Sequence, residues 1–140
     1  AGLVRSAHVV ARGGLAVALA HLAIAGELGV QVDLGWLLEP ELGDMSVRPG
    51  VALLSESTGR ILFTCAPDRV EALEEALAGH WLRRLGSIEA PRGGDEGPAV
   101  RGGLVPPTGG WLQVRRGATV WIDHSAARLR AAFQGGAADV

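Results

Sequence analysis

The chain has 140 residues, 48% of them hydrophobic, and a formal net charge of −2. That suits one domain, residues 1–140, able to bury a core without metal or disulfide staples. The charge balance argues against a nucleic-acid surface or a polybasic membrane patch. A single cysteine excludes an internal disulfide and favours a reducing compartment, and with all thirteen cationic side chains being Arg, lysine-based chemistry is excluded as well.

The longest apolar run, Leu15 to Ala25, is interrupted by His21 and falls far short of the roughly 20 residues of a membrane-spanning helix. Ala1 to Arg5 lack the layout of a signal peptide. The chain opens without Met, so a piece of a longer polypeptide is expected.

Leu3 to Val10 are β-prone and lead into Gly13-Gly14. A helix is predicted from Gly14 to Leu28. Leu15, Leu19 and Leu22 form one apolar stripe, and Val17, Ile24 and Leu28 form another on the opposite side. A helix apolar on both sides is normally buried between two layers. The isolated domain is therefore expected to dimerise or to leave a strip exposed near Val17, Ile24 and Leu28. Val30 to Leu34 reads as a strand, Trp36 to Pro49 as a loop with room for one helical turn and Arg60 to Cys65 as a second strand. Pro67, Asp68 and Gly79 frame a helix with Val70, Leu73 and Leu77 inward and Glu71, Glu74 and Glu75 toward water.

Leu82 to Glu89 is predicted as a third strand. Pro91 to Gly110 hold seven Gly and four Pro in twenty positions and read as a mobile loop, with a short strand at Ala99 to Val105. Trp111 to Arg115 and Ala118 to Ile122 form a hairpin across Arg116-Gly117. Ser125 caps a last helix with Ala126, Leu129 and Phe133 inward, closed by Gly135-Gly136. The fold class is α/β (α+β): a layered sandwich with a mixed sheet, partly ferredoxin-like.

Two segments could carry chemistry. In Ser6-Ala7-His8-Val9-Val10-Ala11-Arg12-Gly13-Gly14, paired glycines at a helix entrance would leave outward N–H groups, and Arg12 beside them would complete a phosphate or carboxylate site. The plain alternative is a tight strand-to-helix turn. Ser55-Glu56-Ser57-Thr58-Gly59-Arg60 gathers a carboxylate, three hydroxyls and a guanidinium that could hold a polar ligand or a partner domain, or form an ordinary β-turn. Cys65 reads as a buried inert thiol. His8, His21, His80 and His124 lack metal-ligand spacing, and no metal site is expected. His21 reads as a core or interface histidine. The run Asp123-His124-Ser125 reads as a helix cap and not a triad. Trp36, Trp81, Trp111 and Trp121 read as core and sheet packing.

The string SAHVVARGGLAVALA, Ser6 to Ala20, resembles S-A-H-D-x-S-[DE]-G-G-L-A-x-A-L-A, found at the start of C-terminal domains of the aminoimidazole-ribonucleotide synthetase superfamily. Leu53 to Leu73, Leu85-Gly86-Ser87-Ile88 and Val120 to Gly136 are similar to segments of one branch: the glutaminase-less large subunits of the phosphoribosylformylglycinamidine synthases. The likeness covers nearly the whole chain and is weakest over Pro91 to Gly110.

It implies the last C-terminal domain of a duplicated, cytoplasmic ligase of purine biosynthesis that uses ATP and Mg²⁺, with neither expected to bind this domain tightly. The implied partners are N-terminal ATP-binding domains of the same polypeptide, a glutaminase subunit and a small accessory subunit. No catalytic residue is assigned to this domain, which is expected to be inactive alone. His8, Arg12, Gly13, Gly14, Ser55, Glu56, Ser57 and Arg60 are the nucleotide, phosphate or substrate-cleft candidates. Three positions depart from the motif: Val9 stands where the family has Asp, Ala11 where it has Ser, and Arg12 where it has an acid. The departures also fit an interaction module that kept the scaffold and lost its chemistry. Thiamine-phosphate kinase, selenophosphate synthetase and the hydrogenase-maturation ATPase share the first motif, and the Leu53 to Arg60 segment argues against them.

Overall fold

The computed structural model describes residues 2–35, 48–93 and 108–135. Where a single domain is expected, the chain divides into two compact units: Ala1–Ala18 with Gly50–Arg84, and Leu19–Pro49 with Leu85–Val140.

In the first unit, strand β1 (Val4–Val9) runs into helix α1 (Gly14–Gly26), whose first residues through Ala18 belong to this unit. Further along the chain, strand β2 (Gly29–Asp33) lies in the second unit and helix α2 (Pro49–Leu54) leads into the first. Sequence reading missed α2, whose first residue is a proline, a residue that suits the start of a helix. Strand β3 (Ile61–Cys65) pairs antiparallel with β1, with Val9 opposite Ile61 and His8 opposite Leu62. Because strand side chains alternate, Ala7, Val9, Ile61 and Phe63 share one face, and Ser6, His8, Leu62 and Thr64 the other. The Ser6 and Thr64 hydroxyls meet at 2.7 Å on that second face.

A 3-10 turn at Pro67–Arg69 starts the next helix, α3 (Val70–Ala76), with Leu73 buried, Val70 and Leu77 half-buried and the three glutamates exposed, as the spacing predicts. Val10, Leu15, Leu53 and Leu73 are the large buried side chains of this unit. Cys65 is half-buried, more open than an inner-face position requires, because a two-stranded ribbon covers little of itself.

The second unit centres on a four-stranded mixed sheet in the order β4-β2-β7-β8. It contains β4 (Gly86–Glu89), β7 (Trp111–Arg116) and β8 (Thr119–Ser125). Between β4 and β7, the two-residue strands β5 (Arg92–Gly93) and β6 (Thr108–Gly109) pair with each other. Strand β2 runs antiparallel to β4 and parallel to β7, and β7 and β8 form the predicted hairpin, longer than expected and turning one residue later. Leu19, Val32, Leu34, Leu112 and Val114 are all under 2% exposed or at it, each contributing at most about 1.5–3 kcal/mol by burial.

The expected strand Leu82 to Glu89 pairs only over Gly86–Glu89, since Leu82, Leu85 and Ile88 recur every third residue and not every second. Helix α4 (Ala126–Gly135) starts as predicted, Ser125 Oγ accepting the Arg128 N–H at 3.3 Å. Phe133, expected inward, is 45% exposed and lies against His21, ring centroids 5.0 Å apart; His21 itself is exposed. Glu27, at φ 51°, follows the end of α1. Val17 and Ile24 are half-buried and Leu28 is exposed, so the second stripe of α1 is only partly covered. The readings of Trp36 to Pro49 and of the loop and strand within Pro91 to Gly110 lie mostly outside the described residues. Among the described residues no helix is long and apolar enough to cross a membrane.

Candidate functional site

The two segments singled out by sequence meet within the first unit. Gly13 and Gly14 both take positive φ, +78° and +67°, which turns the chain from β1 into α1 within two residues. At Gly14 the turn brings backbone onto backbone: a Cβ there would stand 2.5 Å from the Leu53 carbonyl oxygen and 2.7 Å from that of Ser55. The glycine is therefore required by proximity as well as by conformation.

The expectation of outward, unoccupied N–H groups does not hold. The Gly13 N–H donates to Glu56 Oε1 at 2.7 Å, and the Gly14 N–H donates to the Ala11 carbonyl at 3.0 Å. Helix α1 has no acidic residue in its first turn, and Glu56, 43 residues away in sequence, supplies the missing negative charge at its positive end. Arg60 does the converse for α2, which has no basic residue in its last turn. Its guanidinium donates to the carbonyls of Ala52 (3.4 Å), Ser57 (3.5 Å) and Ser55. The Ser57 N–H donates to Ser55 Oγ at 3.4 Å, and the Val10 N–H donates to the Arg60 carbonyl at 2.9 Å, tying the loop to the end of β1.

Of the eight candidate residues, Gly13, Gly14, Glu56 and Arg60 are thus engaged by their own chain, with Ser55 and Ser57 in the same loop. Arg12 and His8 are exposed near the corner. Val9, 63% exposed, faces the same way as Ile61, 60% exposed, so an apolar pair occupies the position where a related motif has an acid. Among the described residues, no group of three His, Cys, Asp or Glu could hold a metal ion. The Gly13 amide thus faces a carboxylate of its own chain.

Sequence reading passed over a second polar cluster, in the other unit. The Trp111 indole is buried, its N–H donates to the Ala90 carbonyl at 3.1 Å, and the Arg92 guanidinium lies 3.5 Å from its ring centroid. Arg92 also pairs with Asp123 at 3.2 Å, and Asp123 accepts from Gln113 at 2.9 Å. These groups lie on one face of the sheet and link its strands to the start of β5. The alternation of the strands marks such a face, but nothing in the sequence names the partners. Trp81 and Trp121, expected to pack, are 66% and 49% exposed; Trp121 is the extra residue where the β7–β8 register shifts, which turns it out of the ladder.

The fold is mixed α/β, and Gly13, Gly14, Glu56 and Arg60 of the two motif segments are engaged by their own chain. The chain belongs to the AIR synthase related proteins, matching the profile of their C-terminal domain over residues 1–95. It is 38% identical over 105 residues to the phosphoribosylformylglycinamidine synthase subunit PurL of Synechococcus elongatus, covering 75% of this chain and 13% of that protein. With the PurL subunit of Moorella thermoacetica it shares 47% identity over 68 residues, 49% of this chain and 8% of that one. The chain therefore spans about an eighth of the length of such relatives. In fold it resembles T. maritima PurL complexed with FGAR, with a TM-score of 0.64 at 21% identity over 91% of this chain and 18% of the other. The same protein complexed with ATP gives 0.62 at 20% identity.

Proposed function

We propose that the chain serves as a C-terminal domain of an ATP-dependent ligase that converts formylglycinamide ribonucleotide, ATP and ammonia to formylglycinamidine ribonucleotide, ADP and phosphate. In this reading ATP and Mg²⁺ are held by N-terminal domains of the same polypeptide, and ammonia comes from a glutaminase subunit in a cytoplasmic complex with a small accessory subunit. The domain braces the site, and His8, Arg12 and Ser57 are the candidates nearest to whatever lies against the corner. The observation that carries the reading is the 38% identity with a PurL subunit over three quarters of the chain.

Phosphoryl transfer needs a phosphate cradle, metal ions and a placed nucleophile together. The glycine corner, the nearest thing to a cradle, is engaged with Glu56, which supports a bracing role and inactivity in isolation. A second reading, a non-catalytic interaction module on the same scaffold, is favoured by Val9 and Arg12 at motif positions that elsewhere are acidic.

A chimera separates the two. The equivalent domain of the S. elongatus subunit is replaced by this chain and ammonia-dependent ADP release is measured with formylglycinamide ribonucleotide. Activity clearly above that of a domain-deleted subunit is expected. A soluble, monodisperse chimera no more active than the deletion would favour the module.

A further inference from the structure

We propose that Glu56 is the resident anion of the Gly13–Gly14 corner, so that the corner is closed to exogenous phosphate or carboxylate while the Ser55–Arg60 loop is seated. The inference rests on the geometry of the first unit and not on the ligase reading. Four observations meet there. The Gly13 amide is already bonded to a carboxylate at 2.7 Å, and the Gly14 amide is taken by Ala11. The approach over Gly14 is blocked by the Leu53 and Ser55 carbonyls, which would crowd even a methyl group. These carbonyls present negative dipole ends, which oppose a second anion. Arg60, the cation of the same loop, is turned inward onto three carbonyls.

Glu56 and Arg60 therefore act as a pair of internal counter-charges, one for the positive end of α1 and one for the carbonyl end of α2. The two helices lack such charges of their own. A ligand anion would have to displace a carboxylate held at effective concentration by its own loop, a competition that favours the tethered group.

The test follows the Gly13 amide by NMR on the isotopically labelled 140-residue chain, measuring hydrogen exchange and its response to inorganic phosphate. In the wild type the Gly13 resonance is expected to stay fixed as phosphate is added. Glu56→Ala is expected to speed Gly13 exchange by about tenfold, the loss of one charge-assisted hydrogen bond, while the Gly14 amide on Ala11 changes far less. Should the alanine variant fail to fold, Glu56→Gln keeps an acceptor oxygen without the charge and is expected to give a smaller rise in the same direction. A saturable phosphate shift at Gly13 in the wild type, or unchanged Gly13 exchange in the folded variants, overturns the proposal. Because no turnover is measured, its failure leaves the ligase reading standing, and the reverse also holds.

Discussion

Gly14→Ala probes the contact between the two motif segments most directly. Gly14 has a φ of +67°, and a residue with a side chain in that left-handed region costs about 1–2 kcal/mol. The added methyl would stand 2.5 Å from Leu53 O, 2.7 Å from Ser55 O and 2.8 Å from the Leu54 carbonyl carbon. All three are backbone atoms, and the Ser55 carbonyl is itself held by Arg60, so they cannot rotate aside as a flexible side chain could. Such crowding typically costs a further 1–3 kcal/mol or so.

The alanine recovers somewhat under about 1 kcal/mol by restricting the unfolded chain. A net loss of about 3 kcal/mol follows, a large share of the roughly 5–15 kcal/mol that holds a domain folded. For a chain of this size that corresponds to a fall in Tm of about 9 °C. Urea and thermal unfolding followed by circular dichroism give both quantities. Gly50→Ala is the control: it lies in α2, its Cβ would meet nothing within 4 Å, and it should leave stability unchanged or raise it by up to about 1 kcal/mol. If Gly14→Ala unfolds within about 0.5 kcal/mol of wild type, the usual range of neutral surface changes, then the motifs are not packed backbone to backbone.

Arg60→Ala should lower stability by about 2 kcal/mol in urea unfolding, since three carbonyls lose a charged donor, and Arg60→Lys should recover only part because a single ammonium cannot span them. Ser125→Ala should cost about 1 kcal/mol by removing the cap of α4, whereas Ser125→Asp should hold stability near wild type. Gly29→Ala should push the Trp111 indole, which lies against Gly29, off the Ala90 carbonyl. One of the indole N–H resonances should then shift, with a loss of about 2 kcal/mol, as expected for crowding in a packed core.

What the sequence revealed, and what it hid, divides by range. The strands at Val4–Val9 and Ile61–Cys65, the hairpin and the Ser125 cap are set by β-prone side chains, a turn residue or a hydroxyl within three residues of its partner, and each is legible in the sequence. Helix α2 is six residues long, too short for a helical period to show, and it was missed. Leu82 to Glu89 is rich in apolar residues but spaces them every third position, so only Gly86–Glu89 pairs as a strand. In the candidate site the two motif segments come together, but which group each residue meets is not readable from the sequence. Nothing near Gly13 in sequence says that its amide will meet a carboxylate 43 residues on. Glycine pairs signal a turn equally well whether the donors end up facing a ligand or the chain itself.

That distinction bears on the positions shared with the related motif. Of these, Gly13, Gly14, Glu56 and Arg60 are bonded or wedged inside the first unit, whereas Ser6, Ala7 and His8 are exposed. Two that depart, Val9 and Arg12, are exposed, and Val9 pairs with Ile61 across the ribbon. With Arg12 in place of an acid, no second carboxylate stands one residue from the amide that Glu56 occupies, so the repulsion an acid would bring is absent. The exposed substitutions and the internal clasp are therefore compatible: Glu56 on the Gly13 amide and Arg60 on the carbonyls of its own loop hold the two segments together while Val9 and Arg12 face outward.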